Sequence, residues 1–443
     1  LWVENETGDV GLLAVYAFSL FFKIFFLGLG IFIILSSMDY VEKNLTSRGE
    51  FYGLILFSIL GMNVMAQSRE LLTAYISLEL LSFCLYVLAA YARNEAKSNE
   101  AGLKYIIIGA FSSAVLLYGV SMVYSTLGVT QFASISAALA NTGDVSPALW
   151  VGMALILVGL GFKLAAVPFH MWAPDVYEGA PFPVTAYLAI GSKAAAFALV
   201  LRLFSEGFLP AADQWRIVVA VMAAITMLTG NLVALAQHNI KRLMAYSSVG
   251  QVGIILTGVA ALSADSILPA SGVMLYLVGY SLTNMLVFAG LISFFNMTGR
   301  EDISAFRGLA DGQPFLAATI AIGLFSLGGM PIFAGFTIKF YLFTALASQG
   351  LLWLAGLAIF SSLISLYYYL QVIRQMYIRP VEEVAEAIAG EEVYIPTGPE
   401  VSTSPLILMV QSVSLVGVFW VGVYPAPFLA VIDAASHAIL PGL

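Results

Sequence analysis

The chain has 443 residues, 60% of them hydrophobic and only 10% charged, with a mean hydropathy of +0.94 and a net charge of −8. A soluble domain carries about 25% charged residues, and apolar runs long enough to cross a bilayer recur here from end to end, so a polytopic helical membrane protein is expected. The runs are continuous rather than alternating, which excludes a β-barrel, and the negative balance lies mainly in loops and implies no nucleic-acid partner.

The chain opens at Leu1 with an acidic lead (Glu4, Glu6, Asp9) and no signal-peptide pattern, which reads as a processed or partial N-terminus. Twelve spans are expected, at 13–36, 51–66, 70–92, 102–127, 148–170, 184–204, 214–236, 241–262, 269–295, 314–346, 351–377 and 404–424. Loops are marked by Arg93-Asn94-Glu95, by Asn141-Thr142-Gly143-Asp144 and by the charged run from Gly299 to Asp311. Alternate loops differ in basic residues. One side holds Lys43, Arg48, Arg93, Lys97, Lys241, Arg242, Arg300, Arg307, Arg374 and Arg379, and the other only Arg69, Arg202 and Arg216. The richer side is cytoplasmic by the positive-inside rule, so both termini are expected outside.

Spans two to six and seven to eleven form two sets of five that start from opposite faces, hence two inverted units, as in many transporters. The organisation expected is 1–50, an N-terminal span and loop; 51–204, the first unit; 205–380, the second; and 381–443, an acidic cytoplasmic loop, the last span and an outer interfacial tail. The fourth span of each unit combines glycines, a proline and a lysine: Gly159, Gly161, Lys163 and Pro168 in one, Gly328, Gly329, Pro331, Gly335 and Lys339 in the other. Proline removes a helical donor and clashes with the preceding turn, so both spans should break near mid-membrane, around Leu164 to Pro168 and Gly328 to Gly335. Paired interrupted spans are the best sequence pointer to an ion site.

Four charges lie deep in nearly pure hydrocarbon: Glu79, Lys163, Lys193 and Lys339. An ionised side chain there costs at least about 2.5–3.5 kcal/mol and commonly marks an ion or proton path. Glu79 is either a structural carboxylate satisfied by nearby hydroxyls or a protonatable station. A lysine taken out of water favours its neutral form, and a neighbouring carboxylate restores the charged one, so a lysine whose partner moves can bind and release a proton. Lys163 and Lys193 sit on consecutive spans joined by a short loop, either as proton carriers or in buried ion pairs. Lys339 has no acidic partner in its own span. Lys104, beside Glu100, can simply snorkel to the interface, and Lys23 has only apolar neighbours and no assigned role. His170, after Pro168, either relays protons or hydrogen-bonds a carbonyl; His238 and His437 are expected to be solvated. The single cysteine, Cys84, is expected to pack in the core. The sequence has no cysteine cluster for iron–sulfur ligation, no usable haem histidine pair and no nucleotide fingerprint, so no redox cofactor is expected in this chain.

Several stretches carry a resemblance: Glu79-Leu80-Leu81-Ser82; Asn99-Glu100-Ala101-Gly102-Leu103-Lys104-Tyr105; the run from Pro168-Phe169-His170 through Trp172-Ala173-Pro174-Asp175 to Glu178-Gly179-Ala180-Pro181; and Lys241-Arg242 through Tyr246-Ser247-Ser248. From about residue 9 to the last span, the chain resembles the antiporter-like membrane subunits of respiratory complex I, most closely the subunit N group. The resemblance implies that Glu79 and Lys163 are that family's glutamate–lysine pair, Lys193 its central lysine and Lys339 the lysine of the second broken helix. Lys104 would match a further lysine near the glutamate. It implies fourteen helices in bacterial members, the first two lying outside this sequence. It also implies an inner-membrane location beside other complex I membrane subunits, with NADH, FMN, iron–sulfur clusters and quinone handled in partner subunits. The runner-up is a subunit of a multisubunit Na+/H+ antiporter or membrane-bound hydrogenase; a solute transporter and a proton-inert scaffold are the other classes.

Overall fold

The structure, a computed structural model, describes residues 11–142, 145–378 and 403–440. The acidic lead, Gly143-Asp144, Arg379 and the acidic loop up to residue 402 lie outside the described residues. Among the described residues the fold is entirely helical, with isolated β-bridges only. The helices are α1 (Ala17–Asn44), α2 (Arg48–Gln67), α3 (Leu71–Ala89), α4 (Ala96–Leu127), α5 (Phe132–Thr142), α6 (Pro147–Leu164), α7 (Trp172–Gly179) and α8 (Phe182–Gly207). They continue with α9 (Leu209–Ala234), α10 (Ile240–Ala260), α11 (Leu268–Thr298), α12 (Pro314–Gly328), α13 (Ala334–Ser348), α14 (Leu352–Ile378), α15 (Pro405–Val423) and α16 (Ala426–Ile439).

Among the described residues eleven of these are long and apolar enough to cross a membrane, and α12 and α13 are shorter apolar helices that follow one another across the second break. Helices overrun the expected spans where good helix formers continue into water: α1 runs on through Tyr40, Glu42 and Lys43, because hydropathy marks the bilayer rather than the end of the hydrogen-bond ladder. The sequence reading did not foresee α5, a short helix after the fourth crossing whose Phe132, Ile135 and Leu139 are buried at helical spacing. Arg202 also differs from expectation. Expected in an outer loop, it is fully buried in α8, held by Glu206 at 3.3 Å, the Ala66 carbonyl at 2.7 Å and the Tyr16 ring at 4.9 Å.

The centre of the bundle is α8, α10 and α11, almost completely buried although α8 and α10 carry polar and charged side chains within it. Small residues set their spacing. Gly230 of α9 lies directly against Gly250 of α10, and a methyl group at either would collide with the other helix. Two π-helical turns interrupt α8, at Leu188–Ser192 and Leu203–Gly207, and the first delivers the chain directly to Lys193. Such bulges are rare and gather at functional sites.

Both glycine–proline spans break where expected, and by the same device. In α6 the helix stops at Leu164, Ala165 turns left-handed (φ 59°), and the Ala166 amide donates back to the Gly161 carbonyl at 2.8 Å. In α12 Gly329 turns left-handed (φ 89°) and the Met330 amide donates to the Phe325 carbonyl at 3.1 Å. Each is a Schellman ending with its six-to-one bond. Groups freed by the breaks find side chains: Trp172 Nε1 donates to the Phe162 carbonyl at 2.9 Å, and the Val167 amide to Thr226 Oγ1 at 3.0 Å.

Candidate functional site

Glu79 stands half-buried on α3, its Oε1 accepting a 2.7 Å bond from Ser113 Oγ of α4. Ser113 in turn shares a 2.9 Å bond with Tyr75. Two turns along α3, Tyr86 falls on the same face as Glu79, since seven residues make almost two full turns. Its ring stands 5.2 Å from Lys163 Nζ, with the Tyr105 ring at 5.6 Å and Phe162 at 6.0 Å. Trp172 stacks on Tyr105 at 4.5 Å and closes the box. Lys163 is therefore held by ring faces, which attract a cation most strongly when it is desolvated. Its Nζ has no hydrogen-bond partner, and no direct ion pair joins it to Glu79. Tyr86 thus shares a helix face with Glu79 and meets Lys163 with its ring.

Lys193, next along the chain, is buried in α8. Its ammonium donates to Ser248 Oγ of α10 and faces the Tyr177 ring at 5.5 Å. Between Lys163 and Lys193 lie buried hydroxyls without protein partners, those of Tyr105, Tyr177 and Ser192. Buried polar groups of this kind are ordinarily met by ordered water. From Ser248 the polar line continues along α10. Ser247 shares a hydrogen bond with the Tyr369 hydroxyl, Gln251 accepts from Tyr276, and Gln251 Nε2 donates to the Leu327 carbonyl at 3.2 Å.

That same Leu327 carbonyl accepts from Lys339 Nζ at 2.8 Å. Lys339 belongs to α13, beyond the second break, but its side chain reaches back to the end of α12, where unpaired carbonyls concentrate negative charge. Counted from the two Schellman turns, Leu327 occupies the place that Lys163 holds in α6 (each two residues before the left-handed residue). One lysine thus stands before its break and the other after it, and the Lys339 ammonium returns to the carbonyl of the residue that matches Lys163 in position.

Two candidate residues lie elsewhere. Lys104 is turned to Asp175 and Glu100, both at 2.7 Å, and not to Glu79; the nine residues separating it from Ser113 put it about 13 Å further along α4. It belongs to an ion-pair cluster in which Arg242 also holds Asp175 at 2.8 Å and Glu178 at 3.1 Å, and Lys97 holds Glu178 at 3.3 Å. His170 lies in the turn between α6 and α7, nearly buried, with Nδ1 unpartnered and no hydrogen bond to any of the three lysines. Among the described residues no group of His, Cys, Asp and Glu could hold a metal ion. The sequence reading missed the aromatic box and the Ser248–Gln251 line. The signal for the first was the seven-residue spacing of Glu79 and Tyr86, and for the second the run of polar residues in an otherwise buried helix.

Residues 68–365 match the family described as NADH:quinone oxidoreductase/Mrp antiporter, transmembrane. NADH-quinone oxidoreductase subunit N of Desulforamulus reducens is 40% identical over 97% of this chain and 86% of its own length. The subunit N of Moorella thermoacetica is 42% identical over 93% and 83%. Respiratory complex I from Thermus thermophilus contains a chain that superposes with a TM-score of 0.78 at 31% identity, covering 96% of this chain and 88% of that one. A chain of the Mrp complex from Dietzia sp. superposes at 0.83 with 21% identity, over 98% and 85%, a likeness of fold alone.

Proposed function

The chain belongs to the NADH:quinone oxidoreductase/Mrp antiporter membrane family and to its subunit N group, and we propose that it translocates protons through Glu79, Lys163, Lys193 and Lys339. The observation that carries this reading is the environment of the three lysines. Each is at least 96% buried, and none is paired with a carboxylate: Lys163 meets aromatic rings, Lys193 a serine and Lys339 a backbone carbonyl. A permanently charged ammonium in such places is expensive to bury, whereas an amine that takes and gives up a proton is tolerated.

In this reading Glu79 biases Lys163, protons pass to Lys193 over the hydroxyls between them, and the Ser248–Gln251 line leads on to Lys339, which releases them outside. The two five-helix sets act as inverted units. Both termini lie on the outer face of a bacterial inner membrane. The subunit itself is not redox-active; NADH, FMN, iron–sulfur clusters and quinone belong to partner subunits, and neighbouring membrane subunits transmit the energy of quinone reduction.

The test is proton translocation by the assembled complex in liposomes, read with a pH-sensitive dye alongside electron transfer. Lys193→Ala should lower protons moved per electron pair. Undiminished stoichiometry in Lys163→Ala, Lys193→Ala and Lys339→Ala alike would sink the relay.

A further inference from the structure

A second route runs from water to the relay. On the face that carries Lys97, Arg242 and the ion-pair cluster, a cavity of about 540 Å³ opens between the α9–α10 turn, the loop after α11 and the end of α14. His238, Asp302, Arg307, Arg374 and Gln375 line its walls, and Tyr368 forms its floor. Charged and polar side chains thus make up much of its wall, and a polar space far larger than one water molecule holds water.

The floor stands next to the relay. Tyr368 packs against Tyr369 with ring centroids 4.4 Å apart, and the Tyr369 hydroxyl is hydrogen-bonded to Ser247. Ser247 adjoins Ser248, the partner of Lys193, and lies one helical turn before Gln251, which shares the Leu327 carbonyl with Lys339. The short stretch 247–251 of α10 therefore meets three lines: Lys193 from the first unit, Lys339 from the second, and the cavity floor.

We propose that this cavity is a proton intake from the cytoplasm into the second unit, with Tyr368 as the residue that admits protons to the Ser247–Gln251 line. The proton comes from cytoplasmic water. A hydroxyl passes it on by accepting at oxygen while releasing its own hydrogen, so no charge remains on the tyrosine. In the structure the Tyr368 hydroxyl donates at 2.9 Å to Asn231 Oδ1, and Asn231 is itself fixed by a 2.7 Å bond to Ser361. A proton at the floor passes only after that hydroxyl turns away from Asn231, which keeps the cytoplasm and Lys339 from standing in permanent contact. The proposal rests on Lys339 being a proton station.

The test uses the assembled complex in liposomes. Tyr368→Phe removes the hydroxyl and keeps the ring, and should lose proton translocation while electron transfer persists. Independently, Gln375→Cys and Leu243→Cys are placed in a Cys84→Ala parent and treated with a negatively charged thiosulfonate from the cytoplasmic side. Labelling, with loss of translocation relative to the treated parent, is expected. Full translocation in Tyr368→Phe, together with cavity thiols that stay unlabelled or are labelled without effect, overturns the intake, provided that Lys339→Ala has lost translocation. If Lys339→Ala translocates fully, the relay reading has failed and the intake falls with it. Should Tyr368→Phe fail to assemble, the cysteine measurements alone decide.

Discussion

Glu79 and Lys163 do not touch, and that changes what their removal should do. Glu79 is half-buried and keeps Ser113 as a donor, so Glu79→Gln leaves no stranded charge and should assemble normally. Its expected effect is on the charge felt by Lys163. Both Glu79→Gln and Lys163→Ala should lower proton translocation, and the double variant should be no worse than the poorer single one. Strictly additive losses in that cycle would mean two independent roles. For Lys339, arginine should fail as badly as alanine, because a guanidinium stays protonated at any accessible pH; Lys339→Arg with full translocation would make the lysine a fixed charge. The sequence shows these residues because a charge within hydrocarbon stands out in a single chain. It does not show what each ammonium rests on. The partners of Lys163 are rings on α3 and α4, and that of Lys339 is a backbone carbonyl, so neither leaves a charge pattern to read.

At the scale of elements, the second break depends on Gly335. Its amide donates to Ser326 Oγ at 3.1 Å, and a methyl at its Cα would fall inside the van der Waals radius of the Ser326 carbonyl oxygen. The obstacle is backbone, which cannot rotate aside, so Gly335→Ala must push α13 from α12 at a cost of at least about 1–3 kcal/mol. Its expected signature is lost translocation and a lower unfolding temperature; unchanged values in both would show that the break tolerates spreading. Gly109→Ala is the gentler counterpart at the first unit. The added methyl would occupy the place of the Tyr86 hydroxyl, so the ring that faces Lys163 must tilt. Translocation should fall there with little change in stability, since the tip of a side chain can move. The breaks themselves were legible, as glycine and proline act through local backbone chemistry. The π turns of α8 were not: apart from Gly191, Leu188–Ser192 carries no local signal of a wider turn, and its surroundings come from distant parts of the chain, among them Leu29 of α1 and Met62 of α2.

At the scale of the molecule, the prediction is orientation. Eleven helices are long and apolar enough to cross a membrane, and α12 with α13 would add a twelfth crossing; an even number would place the first and last helices on the same side. α16 is fastened to the start of α11 by Ser271, whose hydroxyl donates to Asp433 at 2.7 Å and lies 3.1 Å from the Ser436 hydroxyl, and it also packs along α1. With Arg202 withdrawn into the core, the face that holds the start of α1 and the start of α11 keeps only Arg69 and Arg216 among the described basic residues of its connections, and Arg216 is tied to the Leu262 carbonyl at 2.9 Å. The opposite face holds Lys43, Arg48, Arg93, Lys97, Arg242, Arg300, Arg307 and Arg374, and three of them form ion pairs that link one connection to another: Arg93 with Glu50, Lys97 with Glu178, and Arg242 with Asp175 and Glu178. Moving that face outward would carry those charges across the membrane, which is the physical content of the positive-inside rule. The asymmetry is therefore sharper in the folded chain than in the sequence count, where a buried arginine weighed as if it were a loop residue. A peptide tag added after Leu443 should be cut by protease added outside spheroplasts, and Arg307→Cys should react with a charged thiol reagent only from the cytoplasmic side. A tag protected from outside, with Arg307→Cys labelled there instead, would invert the molecule and turn the intake cavity to the periplasm.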